Sequence, residues 1–500
     1  MKKSLCMPAL HKQLAVMAIA GLAISPQASA LTAASPVAAV PSSFLSDSSA
    51  TSIHIPVTQS TAFSQVTAGN YYSVGLRADG SVWTWGRNLY GELGITDTTA
   101  TSNMIAPVRL STLSEMTSIA SNGNGYQLGV RKDGSVWEWG NRYSTDRESQ
   151  PPRQLPQISD VSQVSTLNEI SFALTKDGTV KAWMRDHETG ESSRPVQVEG
   201  LRKIVQLDAA AGKGYALDSS GSVWIFSAEL KDKQLNLSSP SQIYGLPPLK
   251  QIYVYNSTEA YGVDAAGSAW KWSITNASSV IKLSGKASKI YPQLKVKSIQ
   301  AANGYAVLLT RQGEVWTYGK KPAGKEGKVK ELSGIVSISA GDTHCLAIDS
   351  KGQVWGWGAN QWNEIGVPRN SGDGMEYVPV RIQTPITVVI NGKLLPASFP
   401  AMMNNNLISV PLKSVVKELG ASLDISPVTN GSVYTMKHQQ NTVTFQIGST
   451  EAELNGQKLA LSSPAYLITG ATMIPASLLK QMGIQVVWDS KLSTLSISSS

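Results

Sequence analysis

The 500-residue chain contains little cysteine, histidine or charge, and each shortage excludes a class of protein. Its 2 cysteines cannot build a disulfide framework, and its 5 scattered histidines leave little for a transition-metal site. Charged residues make up only 16%, but a hydrophobic fraction of 42% is too high for a disordered chain. Tryptophan and glycine are plentiful instead, with 13 Trp against 6 Phe, and 42 Gly. The length allows two or three domains of about 150 residues.

The first 30 residues have the pattern of a secretory signal peptide. Lys2 and Lys3 stand at the start, an apolar stretch follows at 14–24, and the small-residue triplet Ala28-Ser29-Ala30 comes after it. This stretch of about 11 residues is shorter than the roughly 20 that a membrane helix needs, and no later run is long enough. We therefore expect cleavage near Ala30, a secreted or cell-envelope-associated protein, and no membrane span in the mature chain.

The mature chain would be only mildly basic. Loss of three lysines with the signal peptide leaves 40 basic against 35 acidic residues. This mild excess is no evidence for nucleic-acid binding, which would show as a clustered basic face, and we predict no nucleic-acid partner. Cys345 would be the one remaining cysteine, and we predict that it is a small buried hydrophobe beside Leu346. Residues 31–54, rich in Ala, Ser, Thr and Pro, read as a flexible leader.

From about residue 55 the chain repeats itself, anchored on a glycine that precedes a Val-Trp pair in most copies. The mean interval is about 45 residues, which is typical of propeller repeats. The seven anchors are Gly80, Gly134, Gly178, Gly221, Gly267, Gly313 and Gly352. The positions three and five residues after the anchor hold 11 of the 13 tryptophans. This periodicity predicts seven similar structural units.

Each copy predicts a β-hairpin that turns at the anchor. Asp79-Gly80 suits a two-residue type I′ turn, as does the same dipeptide in copies two and three. With that turn, Leu76 would pair with Trp83 across the hairpin. The second strand is apolar on both faces, so both faces must be covered. Seven sheets arranged radially would cover one another, which predicts a mainly β protein with a seven-bladed β-propeller.

The repeat resembles that of the regulator of chromosome condensation (RCC1) family. The first copy has Ala68-Gly69 upstream and then Gly80-Ser81-Val82-Trp83-Thr84-Trp85-Gly86, and the last copy matches as well. Copies three to five have lost the Trp-Gly pair or the upstream glycine. The resemblance covers about residues 55–384 and implies seven blades. Either 55–57 or 378–382 could supply a closing strand.

Residues 385–500 contain a second internal repeat with an offset of about 64 residues. An Asn-Gly turn, a proline that starts a helix and a glycine that ends it occur at 391–420 and again at 455–483. This predicts a small α+β domain. Its Val410-Pro411-Leu412 and Leu419-Gly420-Ala421 resemble the copper amine oxidase N-terminal-like (stalk) domain. A catalytic copper oxidase domain needs a histidine cluster, whereas this segment has only His438.

Polar residues of the repeats allow two interpretations. The position eight residues before the anchor holds Tyr72, Tyr126, Ile170, Lys213, Glu259, Tyr305 and His344. These residues could form a polar ring facing the central shaft, but we favour hydrogen bonds that join blades. No nucleophile elbow, phosphate loop, zinc-protease helix or EF-hand loop occurs. We therefore predict no catalytic residues, no cofactor and no metal.

Two aromatic residues lie outside the hairpin columns. Tyr90 and Trp362 fall in the long connections after copies one and seven. Exposed aromatic residues on propeller loops are candidate binding anchors, and packing against neighbouring loops is the alternative.

The sequence as a whole predicts a secreted, monomeric, non-enzymatic propeller that binds a protein or an envelope component. The RCC1 resemblance also implies two alternatives: an inhibitor that caps an enzyme such as a β-lactamase, and a guanine nucleotide exchange regulator, whose nuclear compartment conflicts with a signal peptide. The C-terminal resemblance implies a third and weakest alternative, an enzyme related to amine oxidases.

Overall fold

A computed structural model describes most of the chain beyond its first 60 residues. The described residues are 61–95, 103–121, 125–140, 151–167, 169–186, 189–210, 212–231, 234–254, 256, 259–275, 282–302, 304–319, 326–369, 372–395, 400–429, 431–468 and 471–499. The predicted signal peptide, the predicted leader and the alternative closing strand at 55–57 lie outside them.

Seven antiparallel sheets follow one another along the chain, and we call them blades 1 to 7. Blade 1 contains β1 (Phe63–Ala68), β2 (Tyr72–Arg77), β3 (Val82–Arg87) and β4 (Asn103–Arg109). Blade 2 contains β5 (Met116–Ser121), β6 (Gln127–Arg131), β7 (Val136–Trp139) and β8 (Arg153–Leu155). Blade 3 contains β9 (Val161–Leu167), β10 (Ile170–Thr175), β11 (Val180–Met184) and β12 (Val196–Gln197).

The later blades follow the same order, with a fifth strand in two of them. Blade 4 contains β13 (Ile204–Ala210), β14 (Lys213–Asp218), β15 (Val223–Lys231), β16 (Gln234–Leu237) and β17 (Ser241–Ile243). Blade 5 contains β18 (Leu249–Val254), β19 (Glu259–Asp264), β20 (Ala269–Thr275), β21 (Lys282–Leu283) and β22 (Ser288–Ile290). Blade 6 contains β23 (Val296–Ala302), β24 (Tyr305–Thr310), β25 (Val315–Gly319) and β26 (Gly327–Lys328). Blade 7 contains β27 (Ile335–Ala340), β28 (His344–Asp349), β29 (Val354–Ala359) and β30 (Met375–Arg381).

The blades form a closed ring. The first strand of each blade contacts the first strand of the next, and β27 of blade 7 contacts β1 of blade 1. The structure is therefore the predicted mainly β fold with a seven-bladed propeller. Of the two segments that could supply a closing strand, 378–382 contributes residues to β30, the outermost strand of blade 7. Each blade of the described chain is therefore built from one continuous segment.

The hairpin register differs from the predicted one by a single residue. Leu76 pairs with Val82, and Gly75 pairs with Trp83, so the predicted pairing of Leu76 with Trp83 is wrong. The residue opposite the first tryptophan column is small in six of the seven blades. In blade order, the seven residues at this position, of which Leu308 is the exception, are Gly75, Gly129, Ala173, Ala216, Gly262, Leu308 and Ala347. A small partner leaves room for the indole ring to lie across the strand.

A longer turn causes the shift in register. The Arg77 N–H donates to the Ser81 carbonyl oxygen at 2.9 Å, and the Gly80 N–H donates to the Arg77 carbonyl oxygen at 3.0 Å. These bonds close a three-residue loop in which Gly80, with φ of +79°, is the left-handed residue after a type I turn. Such a loop adds one residue to the two-residue turn, and every pair beyond it shifts accordingly.

The observed register gives a test at Gly75. A Cβ on Gly75 would lie 2.5 Å from Cε1 of Phe63, so we expect Gly75→Ala to lower the free energy of unfolding by about 1–3 kcal/mol. Gly129→Ala is the matched control in blade 2, because its Cβ would meet the flexible end of Met116 and a smaller loss is expected. Denaturant unfolding followed by tryptophan fluorescence measures both. A neutral Gly75→Ala variant would contradict the packing described.

Glutamines of the innermost strands join neighbouring blades. Gln65 of β1 donates from Nε2 to the Ile119 carbonyl oxygen at 2.8 Å, and its Oε1 accepts the Ile119 N–H at 3.0 Å. Gln163 and Gln206 make the same pair of bonds to the blade that follows each of them. The amide side chain thus acts as a short additional strand between sheets that share no backbone ladder.

The position eight residues before the anchor also joins blades. The Tyr72 hydroxyl contacts Ser121 of blade 2, and the Tyr305 hydroxyl donates to a backbone carbonyl of blade 7. His344 of blade 7 places Nε2 2.7 Å from Oγ of Ser73 in blade 1. The three side chains are buried, so the interpretation as an inter-blade position is confirmed for them.

The C-terminal module contains three sheets and two short helices. Its strands are β31 (Thr387–Ile390), β32 (Lys393–Leu394), β33 (Met402–Asn404), β34 (Leu407–Pro411), β35 (Ser422–Val428), β36 (Gly431–His438), β37 (Asn441–Gln446), β38 (Glu451–Leu454), β39 (Gln457–Ala460), β40 (Tyr466–Ile468), β41 (Ala471–Pro475), β42 (Gln485–Asp489) and β43 (Thr494–Ser498). Its helices are α1 (Leu412–Leu419) and α2 (Ala476–Gln481). Within the described part of the chain, no helix has the length and apolar composition needed to cross a bilayer.

The internal repeat of this module is visible in its structure. β34 and β41 pair in antiparallel orientation, and each leads through its proline into a helix. Gly420 ends α1 with φ of +66°, as predicted for a helix-terminating glycine. Met402 and Met473 join the apolar core of blade 1, so the module packs against the propeller.

Candidate interaction face

Two loops with one sequence pattern follow the third strands of blades 1 and 7. Residues 88–94 read Asn-Leu-Tyr-Gly-Glu-Leu-Gly, and residues 360–366 read Asn-Gln-Trp-Asn-Glu-Ile-Gly. In each loop the asparagine Oδ1 accepts the N–H five residues later, at 3.1 Å in the first and 3.3 Å in the second. In each, the glutamate Oε2 accepts the N–H of the aromatic residue two positions before it, at 2.8 Å and 2.7 Å. The loops are therefore fixed by their own side chains.

Each loop ends against the next blade around the ring. A Cβ on Gly94 would lie 2.6 Å from Cδ1 of Trp139 in blade 2, and a Cβ on Gly366 would lie 3.0 Å from Nε1 of Trp85 in blade 1. Both glycines have positive φ, so a side chain there would be strained as well as crowded. Because the loops pack on buried tryptophans, their aromatic residues sit on a rigid base.

The sequence-predicted candidates Tyr90 and Trp362 lie on these two loops, at the same end of adjacent blades. Tyr90 is 44% exposed, whereas Trp362 is half-buried. The Trp362 carbonyl oxygen accepts a bond from Asn103 Nδ2 of blade 1 at 3.4 Å, which ties its loop to blade 1. The structure thus brings the two loops to one region of the propeller surface, and part of Trp362 packs as the alternative interpretation expected.

Two further residues complete this region, and the sequence analysis missed both. The Arg87 guanidinium carbon lies 4.9 Å from the centroid of the Tyr71 ring and 5.6 Å from that of Tyr90. Arg87 also holds Glu92, with Nε 2.7 Å from Oε1. A signal was available, because Tyr71 precedes the recognised Tyr72 and Arg87 follows the Trp-Gly pair. We refer to Tyr71, Arg87, Tyr90 and Trp362 as the aromatic patch.

The glutamates of the two loops, Glu92 and Glu364, differ in their electrostatic surroundings. Burial raises the pKa of Glu92, although the charge of Arg87 beside it opposes this shift. Burial raises the pKa of Glu364 to about 7, against the smaller effects of backbone N–H donors and of Arg87. Glu364 lies in blade 7, which has Ala359 where blade 1 has Arg87, and its Oε1 finds no hydrogen-bond partner among the described residues.

These features define the class of protein as a seven-bladed β-propeller with a small α+β module. Family patterns agree with it in both parts of the chain. Patterns for the regulator of chromosome condensation (RCC1) repeat match residues 63–92, 335–361 and 79–128, and that for the copper amine oxidase N-terminal domain matches 389–497. The chain therefore contains RCC1 repeats and a copper amine oxidase N-terminal domain, as its sequence motifs predicted.

Curated relatives share a limited part of the chain. The E3 ubiquitin-protein ligase HERC2 of Homo sapiens is 30% identical over 168 residues, which are 30% of this chain and 4% of HERC2. The mitochondrial RCC1 domain-containing protein RUG3 of Arabidopsis thaliana is 23% identical over 205 residues, which are 37% of this chain and 46% of RUG3. The chain thus spans less than half the length of these relatives.

Solved propellers are also similar to this chain. Yeast RCC1 (Prp20), in a complex with Kap60, is 17% identical, with 66% of this chain and 90% of that chain covered and a TM-score of 0.49. Human WBSCR16 is 19% identical, with 61% and 95% covered and a TM-score of 0.49.

The donor set of the C-terminal module does not fit copper. His438 is the one histidine of residues 385–500, and it is buried with Nε2 3.4 Å from Oγ of Ser499. Within the described ranges, no three His, Cys, Asp or Glu side chains come together as a possible metal site.

Cys345 of blade 7 is buried as predicted, and burial raises the pKa of its thiol to about 12.

Proposed function

We propose that this chain is a secreted, non-enzymatic protein that binds a partner protein through the aromatic patch. The observation that carries the proposal is the arrangement of Arg87 between two tyrosine rings, beside a loop that presents Trp362. Tyrosine, tryptophan and arginine are the residues most enriched at the energetic centres of protein interfaces. The RCC1-like propeller supports a role in protein–protein interaction.

The rigidity of the patch supports the same conclusion. Both loops are held by internal hydrogen bonds and by buried tryptophans of the next blade. Side chains that are already ordered lose little conformational entropy when a partner binds. The aromatic patch is therefore prepared for contact before a partner arrives.

Substitutions in the patch test this proposal. The purified chain is immobilised and exposed to culture supernatant and cell-wall extract, and the retained protein is identified and titrated. We expect Tyr90→Ala and Trp362→Ala each to weaken its binding at least about tenfold, because truncation of a central aromatic residue typically costs more than 1 kcal/mol. Thermal unfolding of each variant checks that the propeller remains intact.

Tyr244→Ala is the matched control, because Tyr244 is 76% exposed and lies in the connection between blades 4 and 5. Its binding should equal that of the wild-type chain. Equal affinities of all three variants would show that the partner binds elsewhere, and retention of no specific protein would refute the binding function.

A further inference from the structure

A cleft of about 120 Å³ lies where blade 1, blade 7 and the C-terminal module meet. Basic, neutral polar and apolar residues line it, and none of its lining residues is acidic. Its basic and polar lining residues include Arg77, Lys351, Gln353, Arg381, Gln383 and Ser493. Arg77 ends the strand that Tyr72 begins, so the cleft and the aromatic patch lie at opposite ends of blade 1.

Arg77 is the central feature of this cleft, because its side chain is buried with an unused donor. The residue is only 4% exposed, and its guanidinium carbon lies 4.2 Å from the Trp83 ring centroid and 5.3 Å from that of Phe63. Nη2 donates to the Pro385 carbonyl oxygen at 3.2 Å, while Nε is buried without a partner among the described residues. The two rings fix the guanidinium but do not neutralise its charge.

The surroundings add further positive charge. Arg109 lies near enough to Arg77 for the two charges to repel, and its Nε is also buried without a partner in the described structure. Asp79 is the carboxylate that acts on both arginines, but its Oδ1 accepts the N–H and the hydroxyl of Ser81. Within the described chain, Arg77, Arg109, Lys351 and Arg381 form no ion pair with a carboxylate.

Arg77 keeps its charge at neutral pH. Burial lowers the pKa of Arg77 to about 10, with Arg109 adding to the shift and Asp79 opposing it, so the guanidinium stays protonated at pH 7. A buried charge without a counter-charge is costly, and proteins pair such groups or bind an ion. The cleft therefore has an excess of positive charge that the described residues do not balance.

We propose that this cleft binds a phosphate group, held by Arg77 from beneath and by Arg381 and Lys351 from the rim. Arginine is suited to phosphate because its planar donors match two oxygens at once. A cleft of about 120 Å³ has room for a single tetrahedral oxyanion. Ser493 of the C-terminal module lines the same cleft, so the anion would also join the module to the propeller.

Inorganic phosphate is the first probe, used with the full chain. Thermal unfolding is measured in increasing sodium phosphate and in sodium chloride of matched ionic strength, and the affinity is measured by calorimetry. A ligand that binds only the folded state raises the melting temperature with its concentration, so phosphate should raise it and chloride should not. O-phosphoserine is the second probe: tighter binding than that of inorganic phosphate would identify a phosphate carried on a larger molecule, and weaker binding would identify the free ion.

Variants of the cleft decide the assignment. Arg381 and Lys351 are exposed, so Arg381→Gln and Lys351→Gln should fold and should each weaken phosphate binding about tenfold. Lys330→Gln, an exposed lysine outside the cleft, is the matched control and should bind as the wild-type chain does. Arg77→Met should abolish the phosphate effect and raise the melting temperature in phosphate-free buffer, because it removes an uncompensated buried charge.

The opposite results would overturn the assignment. A phosphate effect no larger than that of chloride, or full affinity in both Arg381→Gln and Lys351→Gln, contradicts it. An Arg77→Met variant that retains the phosphate effect does so as well. If Arg77→Met does not fold, the titrations of the two rim variants decide the question. Because the cleft shares no residue with the aromatic patch, failure here leaves the proposed partner binding untouched.

Discussion

Replacing Trp85 with alanine is expected to lower the free energy of unfolding by about 3–5 kcal/mol. Trp85 is fully buried, packs edge-on against Phe63 with ring centroids 6.4 Å apart, and touches Gly366 of the loop after blade 7. The cavity left by its indole would lie between the first and last blades, where the ring closes. Guanidinium unfolding at constant pH, followed by circular dichroism, measures the loss.

Trp137→Ala is the matched control for this prediction. Trp137 occupies the first tryptophan column in blade 2, but it is half-buried. We expect it to cost about 1–2 kcal/mol, because much of its surface meets water in the folded and the unfolded chain alike. Equal losses at the two positions would contradict the view that the second column forms the core between blades.

The sequence did not reveal that the two tryptophan columns are buried to different extents. The spacing of the columns predicted hairpins, blades and their number, because a repeated local pattern needs no long-range information. It did not predict that Trp85, Trp139 and Trp183 would be fully buried while most of the first column is half-buried. That difference depends on contacts with neighbouring blades, such as those of Trp139 with the loop that ends at Gly94 and of Trp85 with the loop that ends at Gly366.

The register error has a local cause that the Asp-Gly dipeptide does not reveal. The same dipeptide serves a two-residue turn and a three-residue loop that ends in a left-handed glycine. What distinguishes them here is that Arg77 pairs with Ser81, as it does in the three-residue loop. The columns of small residues opposite the tryptophans were the available signal, since a glycine or alanine has no other reason to recur there.

The candidate site could be predicted only in part. Tyr90 and Trp362 were recognised because they lie outside the repeating columns, which is a property of sequence alone. Arg87 and Tyr71 were missed because their role depends on stacking between the end of β3 and the residue before β2. The cleft around Arg77 was out of reach, since it combines residues of blade 1 with the linker at Pro385, more than 300 positions away.

Glu364→Gln is expected to stabilise the protein at pH 8 and to leave it unchanged at pH 4. Burial raises the pKa of Glu364 to about 7, whereas a glutamate in the unfolded chain has its ordinary value of about 4.5. Below pH 4.5 the carboxyl is protonated in both states. Between pH 4.5 and 7 the folded protein keeps a proton that the unfolded chain has released, so stability falls as the pH rises. Above pH 7 the loss is complete and no longer changes with pH.

The expected gain in the free energy of unfolding at high pH is about 3 kcal/mol, because this is the free energy that corresponds to the difference between the folded and unfolded pKa values of Glu364. His344 does not produce the same profile, because burial lowers the pKa of its ring to about 3 and the ring is neutral throughout this range. Asp208, whose pKa burial raises to about 7, contributes equally to wild type and variant, so it cancels in their difference.

Denaturant unfolding of the wild-type chain and Glu364→Gln at pH 4 to 9 gives that difference directly. It should grow from near zero at pH 4 to a plateau above pH 7, while Glu331→Gln, at an exposed glutamate, should give a flat difference. Because Oε2 of Glu364 accepts the Trp362 N–H, the same titration also measures how firmly the Trp362 loop is held. A difference that is flat across this range would mean that Glu364 ionises at its ordinary pH, and that its unpartnered oxygen reaches water.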